Sequence, residues 1–227
     1  VMACAVLLAA VPGIARIDRR NGAAEADLSD PDCFVLDLGG RWEPARRNFD
    51  HHQFGRNAEP TCTFLLVLRW LGLAESARAW FSWLDPLVWV DARGNEETAR
   101  HFGWPPGTVE QLESPAELAL REAVARCSRI EPGAGPWEWL MATGTWFVDR
   151  LQALDARWAL FQKSGRVWEM GGFRVLFLDL PPGAPDPGLG MEAFRQRLGG
   201  DIPARIVPDA RGSGYSMKRF GDDPRLD

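Results

Sequence analysis

The sequence predicts an α/β fold with a mostly parallel sheet flanked by helices, followed by a smaller α+β C-terminal domain. A continuous β-type run at Cys33–Leu38 stops at Gly39-Gly40, which is typical of a strand buried on both faces of a parallel sheet. Long apolar segments before and after this strand indicate helices. Near Lys163 these give way to short β-type runs and glycine-rich turns. We therefore expect one domain at residues 1–163 and another at 164–227.

The composition indicates a globular protein. Of the 227 residues, 46% are hydrophobic and 25% are charged, which is ordinary for globular domains and sufficient for a sizeable core. The net charge of -5 disfavours a purely electrostatic nucleic-acid binder, although a local basic groove or bound cations would still permit such contact. The eleven tryptophans are expected mainly in the core, because each buries a large apolar area.

The cysteines and the first residues bear on the cellular compartment. Cys4, Cys33, Cys62 and Cys127 form no C-x-x-C pair, which argues against zinc-ribbon and thioredoxin motifs and favours a reducing, cytoplasmic location. The opening stretch VMACAVLLAA lacks a basic leader and is too short to span a membrane, so we expect a buried helix and no membrane partner. The chain begins without methionine, and we expect a longer protein at both ends.

The first half of the chain contains two predicted strands and several helices. The predictions, in chain order, are a helix at Val1–Ala10, a strand at Ile14–Ile17, a short helix in the polar stretch after it, the strand at Cys33–Leu38, and helices at Thr61–Leu73 and Glu75–Trp83. Thr61 is the expected N-cap of its helix. Residues 41–60 form a long polar connection, which in compact domains is often functional. Residues 86–94, PLVWVDARG, read as a strand or a helix end followed by a turn.

The second half is helical and then mixed. Ser114 and Glu117 form a capping box with proline at the first helical position, and this helix is expected to run to about Ile130. The remaining predictions are a long helix from Trp137 to about Lys163 with an interruption near Gly144, a hairpin at 165–180 turning at Gly171-Gly172, a helix at Met191–Leu198, and strands in ARIVPD and GYSMKRF. His101 has no partner motif and is expected at the surface or in packing.

Three short motifs follow one another: Asp37 after the strand, Asp50-His51-His52 in the polar connection, and Asp91 in VDARG. Ligands of open α/β sheets bind at the carboxyl ends of the strands, where these residues are expected to meet. Carboxylate and imidazole ligands suit a divalent metal such as Mn²⁺, and a two-metal site also needs bridging carboxylates. Asp50 is suited to orient an imidazole, and His52 to contact phosphate or donate a proton. Each feature alone is more often a cap or a polar loop, so the prediction depends on their combination.

The segment VLDLGGRWEPARRNFDHHQFG resembles the signature of the melanocyte-proliferating-gene-one family, which belongs to the DHH superfamily of metal-dependent phosphoesterases. That signature is a strand ending in Asp-x-Gly-Gly, then Asp/Glu-Pro, a basic run and Asp-His-His-Gln. The matching residues are Asp37, Gly39, Gly40, Glu43, Pro44, Arg46, Asp50, His51, His52 and Gln53. VDARG resembles a later Asp-x-x-Gly element of the family, which makes Asp91 the corresponding ligand and Asp85 the alternative.

The resemblance implies a two-domain hydrolase with a Mn²⁺ or Mg²⁺ centre, holding two ions in the complete protein. Residues 1–163 would be the DHH-type metal-binding domain, and residues 164–227 an incomplete C-terminal substrate-binding domain. The implied roles are metal binding for Asp37, His51 and Asp91, and catalysis for His52 and Asp50. Relatives resemble 3′-to-5′ RNA exonucleases, which implies phosphodiester hydrolysis by metal-activated water.

The family's first motif, His-x-Asp-Asp/Glu, immediately precedes the first helix and would lie upstream of Val1. Several metal ligands are therefore expected outside this chain. We predict that this chain binds metal weakly and is inactive alone, whereas the longer protein is active.

A second candidate group lies in PDARGSGYSMKRFGDDPR. Gly212 and Gly214 would present backbone N–H groups to an anion, while Arg211, Lys218 and Arg219 would bind phosphates. The resemblance implies that such elements cover the metal site. A hairpin with a solvated basic face is an equally weighted alternative.

Three functions remain open at this point. They are an RNA exonuclease, a hydrolase of small nucleotides or pyrophosphate, and a catalytically degenerate homologue that binds or scaffolds. An RNA enzyme requires a basic groove several nucleotides long, whereas a small substrate requires a closed pocket. The presence of His-x-Asp-Asp/Glu upstream would distinguish an enzyme from a scaffold.

Overall fold

The computed structural model describes residues 1–112, 114–184, 188, 190–209 and 211–221. The chain has a mixed α/β architecture and divides into two compact units, Val1–Asp149 and Arg150–Asp227. The division falls inside one long helix. Residues 222–227 of the predicted C-terminal domain lie outside the described part of the chain.

The N-terminal unit is mainly helical, with five short strands among the residues described. Its helices are α1 (Met2–Ala10), α2 (Glu25–Ser29), α3 (Thr63–Trp70), α4 (Ala74–Trp80), α5 (Leu84–Arg93), α6 (Asn95–Phe102), α7 (Thr108–Gln111), α8 (Pro115–Ala125) and the first part of α9 (Gly135–Ser164). Its strands are β1 (Ile17–Asp18), β2 (Val35–Leu36), β3 (Trp42–Glu43), β4 (Asn48–Phe49) and β5 (Arg129–Ile130).

The sheets are mixed rather than mostly parallel, so that part of the sequence prediction is wrong for the described residues. β2 pairs in parallel with β4, β3 pairs antiparallel with β4, and β1 pairs antiparallel with β5. The polar connection contains β3 and β4, and a 3-10 turn at Pro44–Arg46 joins these two strands. Strands of two residues are too short to show alternation in the sequence, which explains why the connection looked like one long loop.

The helices α1 and α3 supply the apolar centre of this unit. Five residues of α1 and six of α3 are buried. Cys62, and not Thr61, caps α3, because the Cys62 sulfur accepts the hydrogen bond from the backbone N–H of Leu65. α9 runs without the interruption expected at Gly144. A Cβ at Gly144 would lie 1.8 Å from the carbonyl oxygen of Ala5, so the glycine permits close packing of α1 against α9.

The C-terminal unit is built on one four-stranded sheet. Its elements after α9 are β6 (Gly165–Met170), β7 (Phe173–Leu178), α10 (Met191–Arg197), β8 (Ala204–Pro208) and β9 (Tyr215–Arg219). The strand order is β6-β7-β8-β9, with β7 parallel to β8 and antiparallel pairs at both edges. The predicted hairpin, short helix and two last strands are confirmed. Glycine suits the β6–β7 turn because Gly171 and Gly172 have φ of 57° and 85°.

One face of this sheet packs on α10 and on the end of α9. The buried cluster consists of Phe161, Leu176, Leu178, Met191, Phe194, Ile202, Val207 and Phe220. The prediction that most tryptophans lie in the core is wrong. Only Trp137 is fully buried, and five are exposed: Trp70, Trp83, Trp139, Trp146 and Trp168.

Candidate metal centre

Asp37 lies at the end of β2 in a backbone conformation that is unusual for aspartate. Its φ is 61°, in the left-handed region, and its N–H donates to the carbonyl oxygen of Phe49 at 2.9 Å. The Thr63 hydroxyl, at the start of α3, donates to Oδ1 of Asp37 at 3.0 Å. The parallel pairing of β2 with β4 therefore brings Asp37 beside the residues that follow β4.

His51 follows β4 and is buried, with both ring nitrogens engaged. Its Nε2 lies 3.2 Å from Oδ1 of Asp37 and 3.4 Å from Oδ2 of Asp91. Its Nδ1 lies 3.0 Å from the carbonyl oxygen of Thr61. Because a carbonyl only accepts hydrogen bonds, Nδ1 carries a proton, and Nε2 of the neutral ring presents a lone pair to two carboxylates. This arrangement is repulsive unless a proton or a metal cation lies between Nε2 and the carboxylate oxygens.

The pKa values of His51, Asp37 and Asp91 are shifted because the three side chains lie close together and are partly withdrawn from water. The hydrogen bond with Asp37 raises the pKa of His51, burial opposes the rise, and Asp91 adds to it. The same hydrogen bond from His51 is the main cause that lowers the pKa of Asp37. Burial raises the pKa of Asp91, against the attraction of His51. In the absence of metal, the two carboxylates therefore favour the protonated form of His51.

The donor atoms also fit a divalent cation. One ligating atom from each of Asp37, His51 and His52 can be chosen so that all lie within 4.8 Å of one another. Asp91 is not part of this group and approaches it through His51. Two ligands at right angles around an ion with bonds of about 2.1 Å lie about 3.0 Å apart. The separations of 3.2 Å and 3.4 Å around the His51 Nε2 atom are close to that spacing.

Asp50 holds His52 in place. The Asp50 side chain is 2% exposed. Its Oδ2 accepts the N–H of Gly40 at 2.7 Å, and its Oδ1 accepts both the N–H of His52 at 3.0 Å and the His52 Nδ1 at 2.6 Å. Burial raises the pKa of Asp50, but these hydrogen bonds outweigh it and lower the pKa. With Nδ1 held by Asp50, Nε2 is the His52 atom left for proton transfer.

Asp91 reaches the centre from a helix. It lies in the last turn of α5, and so it does not follow a strand, although the helix end was one of the two sequence readings. Leu84 and Val88, four positions apart, are the buried residues of α5. Asp85, the alternative ligand, lies in the first turn of α5 and pairs with Arg78, whose Nε is 3.2 Å from Oδ1 of Asp85.

One cavity adjoins the centre, and a second cavity borders the first. The first, of about 140 Å³, is lined by residues that include His51, His52 and Asp91. The second, of about 330 Å³, shares Glu59 with it and is also lined by Trp89 and His101. The His101 ring stacks on Trp89 with ring centroids 3.6 Å apart, so this exposed histidine takes part in packing as well.

The second candidate group lies in the C-terminal unit. Arg211 binds its neighbour Asp209, with its backbone N–H 3.0 Å and its Nε 3.1 Å from Oδ1 of Asp209. The hydrogen bond from the Arg211 side chain is the main cause that lowers the pKa of Asp209 to about 2. The N–H of Gly212 donates to the Asp209 carbonyl at 3.2 Å, and the Gly214 carbonyl accepts the Asp209 N–H at 2.9 Å. These groups close a tight turn.

Lys218 and Arg219 lie next to each other on β9, and both are exposed. Because side chains alternate along a strand, the two point to opposite faces of the sheet. A single strand therefore does not present both cations to one phosphate.

The sequence reading missed three contributors to the centre. They are the Thr63 hydroxyl on Asp37, the backbone N–H of Gly40 on Asp50, and the backbone carbonyl of Thr61 on His51. Gly40 was noted only as part of a motif. Backbone groups carry no residue-type signal, whereas a threonine entering the apolar helix α3 was a signal that could have been read.

No protein-family model matches the chain, and comparisons with curated proteins and with solved structures gave no match. Within the described residues, no helix combines the length and apolar character needed to cross a membrane.

Proposed function

We propose that this protein is a metal-dependent phosphoesterase of the DHH type, which hydrolyses phosphodiester bonds of RNA in the 3′-to-5′ direction. The observation that carries the proposal is the position of the His51 Nε2 atom, 3.2 Å from a carboxylate oxygen of Asp37 and 3.4 Å from one of Asp91. Such convergence suits a Mn²⁺ or Mg²⁺ ion better than it suits a structural core. The free thiols at all four cysteines are consistent with a reducing, cytoplasmic location.

Asp37, His51 and Asp91 would hold the ion. A bound divalent metal supplies an acidified water as nucleophile and polarises the phosphoryl oxygens. The Thr63 hydroxyl fixes Oδ1 of Asp37, and the Thr61 carbonyl fixes the tautomer of His51. Such supporting hydrogen bonds orient metal ligands.

The role of His52 in the reaction would depend on the orientation of its imidazole ring, which Asp50 holds. The buried Asp50 carboxylate accepts the hydrogen of Nδ1, so Nε2 is the nitrogen that would exchange a proton. In the neutral ring Nε2 would accept a proton, and in the imidazolium form it would give one to a leaving oxygen or contact a phosphate. The exposed side chain of His52 is accessible to a substrate in the adjoining cavity.

A small-nucleotide or pyrophosphate hydrolase is the second candidate. The observation in its favour is the limited volume of the cavity at the histidines, about 140 Å³. The third reading, a degenerate binding homologue, predicts no hydrolysis of any substrate.

The first test is a titration of Mn²⁺ into the protein, with binding measured by calorimetry. Asp37→Asn and Asp91→Asn should each weaken Mn²⁺ binding at least about tenfold, while Asp85→Asn should bind as the unmodified chain does. If Asp85→Asn weakens binding and Asp91→Asn does not, the ligand assignment is wrong. Because the resemblance places further ligands upstream of Val1, a longer form should bind more tightly, and equal, tight binding by both forms would contradict that expectation.

The second test offers end-labelled single-stranded RNA, dinucleotides and pyrophosphate with Mn²⁺ to the longer form. The proposal expects Mn²⁺-dependent shortening of RNA from its 3′ end. Cleavage of dinucleotides or pyrophosphate alone would favour the small-substrate hydrolase. No hydrolysis of any of them would defeat both enzyme readings.

A further inference from the structure

One face of the C-terminal sheet carries a continuous row of aromatic rings. Trp168 on β6 stacks on Phe177 of β7, with centroids 4.0 Å apart and planes at 16°. Phe177 contacts Tyr215 of β9, with centroids 5.4 Å apart. The exposed fractions are 44% for Trp168 and 41% for Tyr215, which is high for rings of this size in a compact unit.

The row lies on the face opposite to the apolar core of its unit. On β7, Leu176 and Leu178 alternate with Phe177 and belong to the cluster that packs on α10. Since neighbouring side chains of a strand point to opposite faces, Phe177 and the rings in contact with it face away from α10. Met217, on the same side of β9 as Tyr215, is 55% exposed and extends the apolar strip.

The charged residues that the four strands carry on this face are positive. Arg166 lies two residues before Trp168 on β6, and Arg219 lies four residues after Tyr215 on β9, so both share the face with the rings, and both are exposed. Glu169 is the single acidic residue in the four strands, and it alternates with Trp168 toward the other face.

Aromatic rings flanked by arginines, with no carboxylate from the four strands on the same face, match the chemistry of a single-stranded nucleic acid. Every base has an apolar face that stacks on an aromatic ring, and the phosphates that join the bases are anionic. The same face of a second copy is a poorer fit, because its strands would bring further arginines and no carboxylate against these arginines. The hydroxyl of Tyr215 donates to the carbonyl of Leu180 at 2.6 Å, which orders that ring in the absence of a ligand.

We propose that this sheet face binds single-stranded nucleic acid, with bases stacked on Trp168 and Tyr215 and phosphates bound by Arg166 and Arg219. The proposal rests on the proposed function and deepens it, since it selects a polynucleotide over a small nucleotide as the substrate class. It also replaces the turn at Gly212 and Gly214 with the open sheet as the place where the C-terminal unit engages substrate.

The test is fluorescence anisotropy with a labelled ten-nucleotide oligouridylate in EDTA, so that neither metal nor hydrolysis contributes. Trp168→Leu and Tyr215→Leu should each weaken binding by about fivefold to a hundredfold, the range that loss of one stacking platform produces. Trp168→Phe keeps a ring and should bind within about threefold of the unmodified chain. Trp146→Leu, at another exposed tryptophan, is the matched control and should not change binding.

The arginines are tested by the dependence of affinity on salt. Arg219→Gln and Arg166→Gln should each reduce the slope of log Kd against log salt by about 0.7, the value expected for one phosphate contact on a single strand. Arg174→Gln, on β7 and directed to the other face, is the control and should leave the slope unchanged.

Thermal melting followed by circular dichroism establishes that each variant is folded. Should Trp168→Leu fail to fold, the Tyr215 and arginine variants carry the test. Unchanged affinity in the folded ring variants would overturn the proposal. Dimerisation in sedimentation that Trp168→Leu or Tyr215→Leu abolishes, without oligonucleotide binding, would overturn it too and identify a self-association surface. Ring-dependent binding without Mn²⁺-dependent cleavage by the longer form would reject the proposed function alone.

Discussion

Replacing Asp50 with asparagine should destabilise the protein strongly, although the two side chains have nearly the same shape. The carboxylate is 2% exposed and accepts three hydrogen bonds, at 2.7 Å from Gly40, 3.0 Å from the His52 backbone and 2.6 Å from the His52 ring. An asparagine amide has one acceptor oxygen, so its NH₂ group must face a donor. At least one buried donor is then left without an acceptor, which costs about 1–3 kcal/mol, and the charge-assisted bond is weakened as well. We expect the free energy of unfolding to fall by about 2–4 kcal/mol.

The pH dependence follows from the lowered pKa of Asp50. A carboxyl group whose pKa is lower in the folded state stabilises the fold above its unfolded pKa of about 3.9, and this contribution disappears as the pH falls through the folded pKa. The difference between the unmodified chain and Asp50→Asn should therefore be full at pH 7 and shrink below about pH 4.

The assay is urea unfolding without metal at pH 7 and at several acidic values. Asp149→Asn, an exposed aspartate on α9, is the matched control and should change the stability by less than about 0.5 kcal/mol. An unfolding midpoint for Asp50→Asn equal to that of the control at pH 7 would refute the reasoning.

Three further experiments test the candidate metal centre and the packing of the N-terminal unit. Thr63→Val should weaken Mn²⁺ binding about tenfold in calorimetry because Asp37 loses its hydroxyl donor, whereas Thr63→Ser should bind normally; equal affinities would contradict the role of the hydroxyl. Gly144→Ala should lower the free energy of unfolding in urea by about 1–3 kcal/mol, because its Cβ would overlap a carbonyl of α1. The control Gly135→Ala has open space at its Cβ and should cost less, and equal losses would contradict the close packing. Burial raises the pKa of Cys62 to about 11, so this thiol should resist a disulfide reagent at pH 8 until the protein unfolds; fast labelling of the native protein would contradict its burial.

The sequence was most informative where the structure is local. Asp37, Asp50, His51 and His52 lie within one short segment, and the contacts among them depend on the pairing of two adjacent strands. The hairpin at β6–β7 was predictable for the same reason, since a glycine pair and alternating runs determine it.

Features that depend on distant contacts were harder to predict. Asp91 comes to His51 from a helix far along the chain, and neither spacing nor periodicity encodes that approach. The helical break expected at Gly144 is absent because the residue serves a contact with α1 rather than a turn. The tryptophans were expected mainly in the core because tryptophan is usually buried, but the side chain of Trp168 is 44% exposed.

The hydrogen bond from His51 to a main-chain oxygen affects which positions around the centre can vary. The Thr61 hydroxyl has no hydrogen-bond partner among the described residues, while the Thr61 carbonyl holds the imidazole. Any amino acid that keeps the same chain path at position 61 would supply the same acceptor, so side-chain scanning would score this position as dispensable. Proline at position 62 would reveal its importance, because the φ of -142° there is far from the value that proline requires. The path of the backbone at position 61, and not the side chain there, thus determines the tautomer of His51.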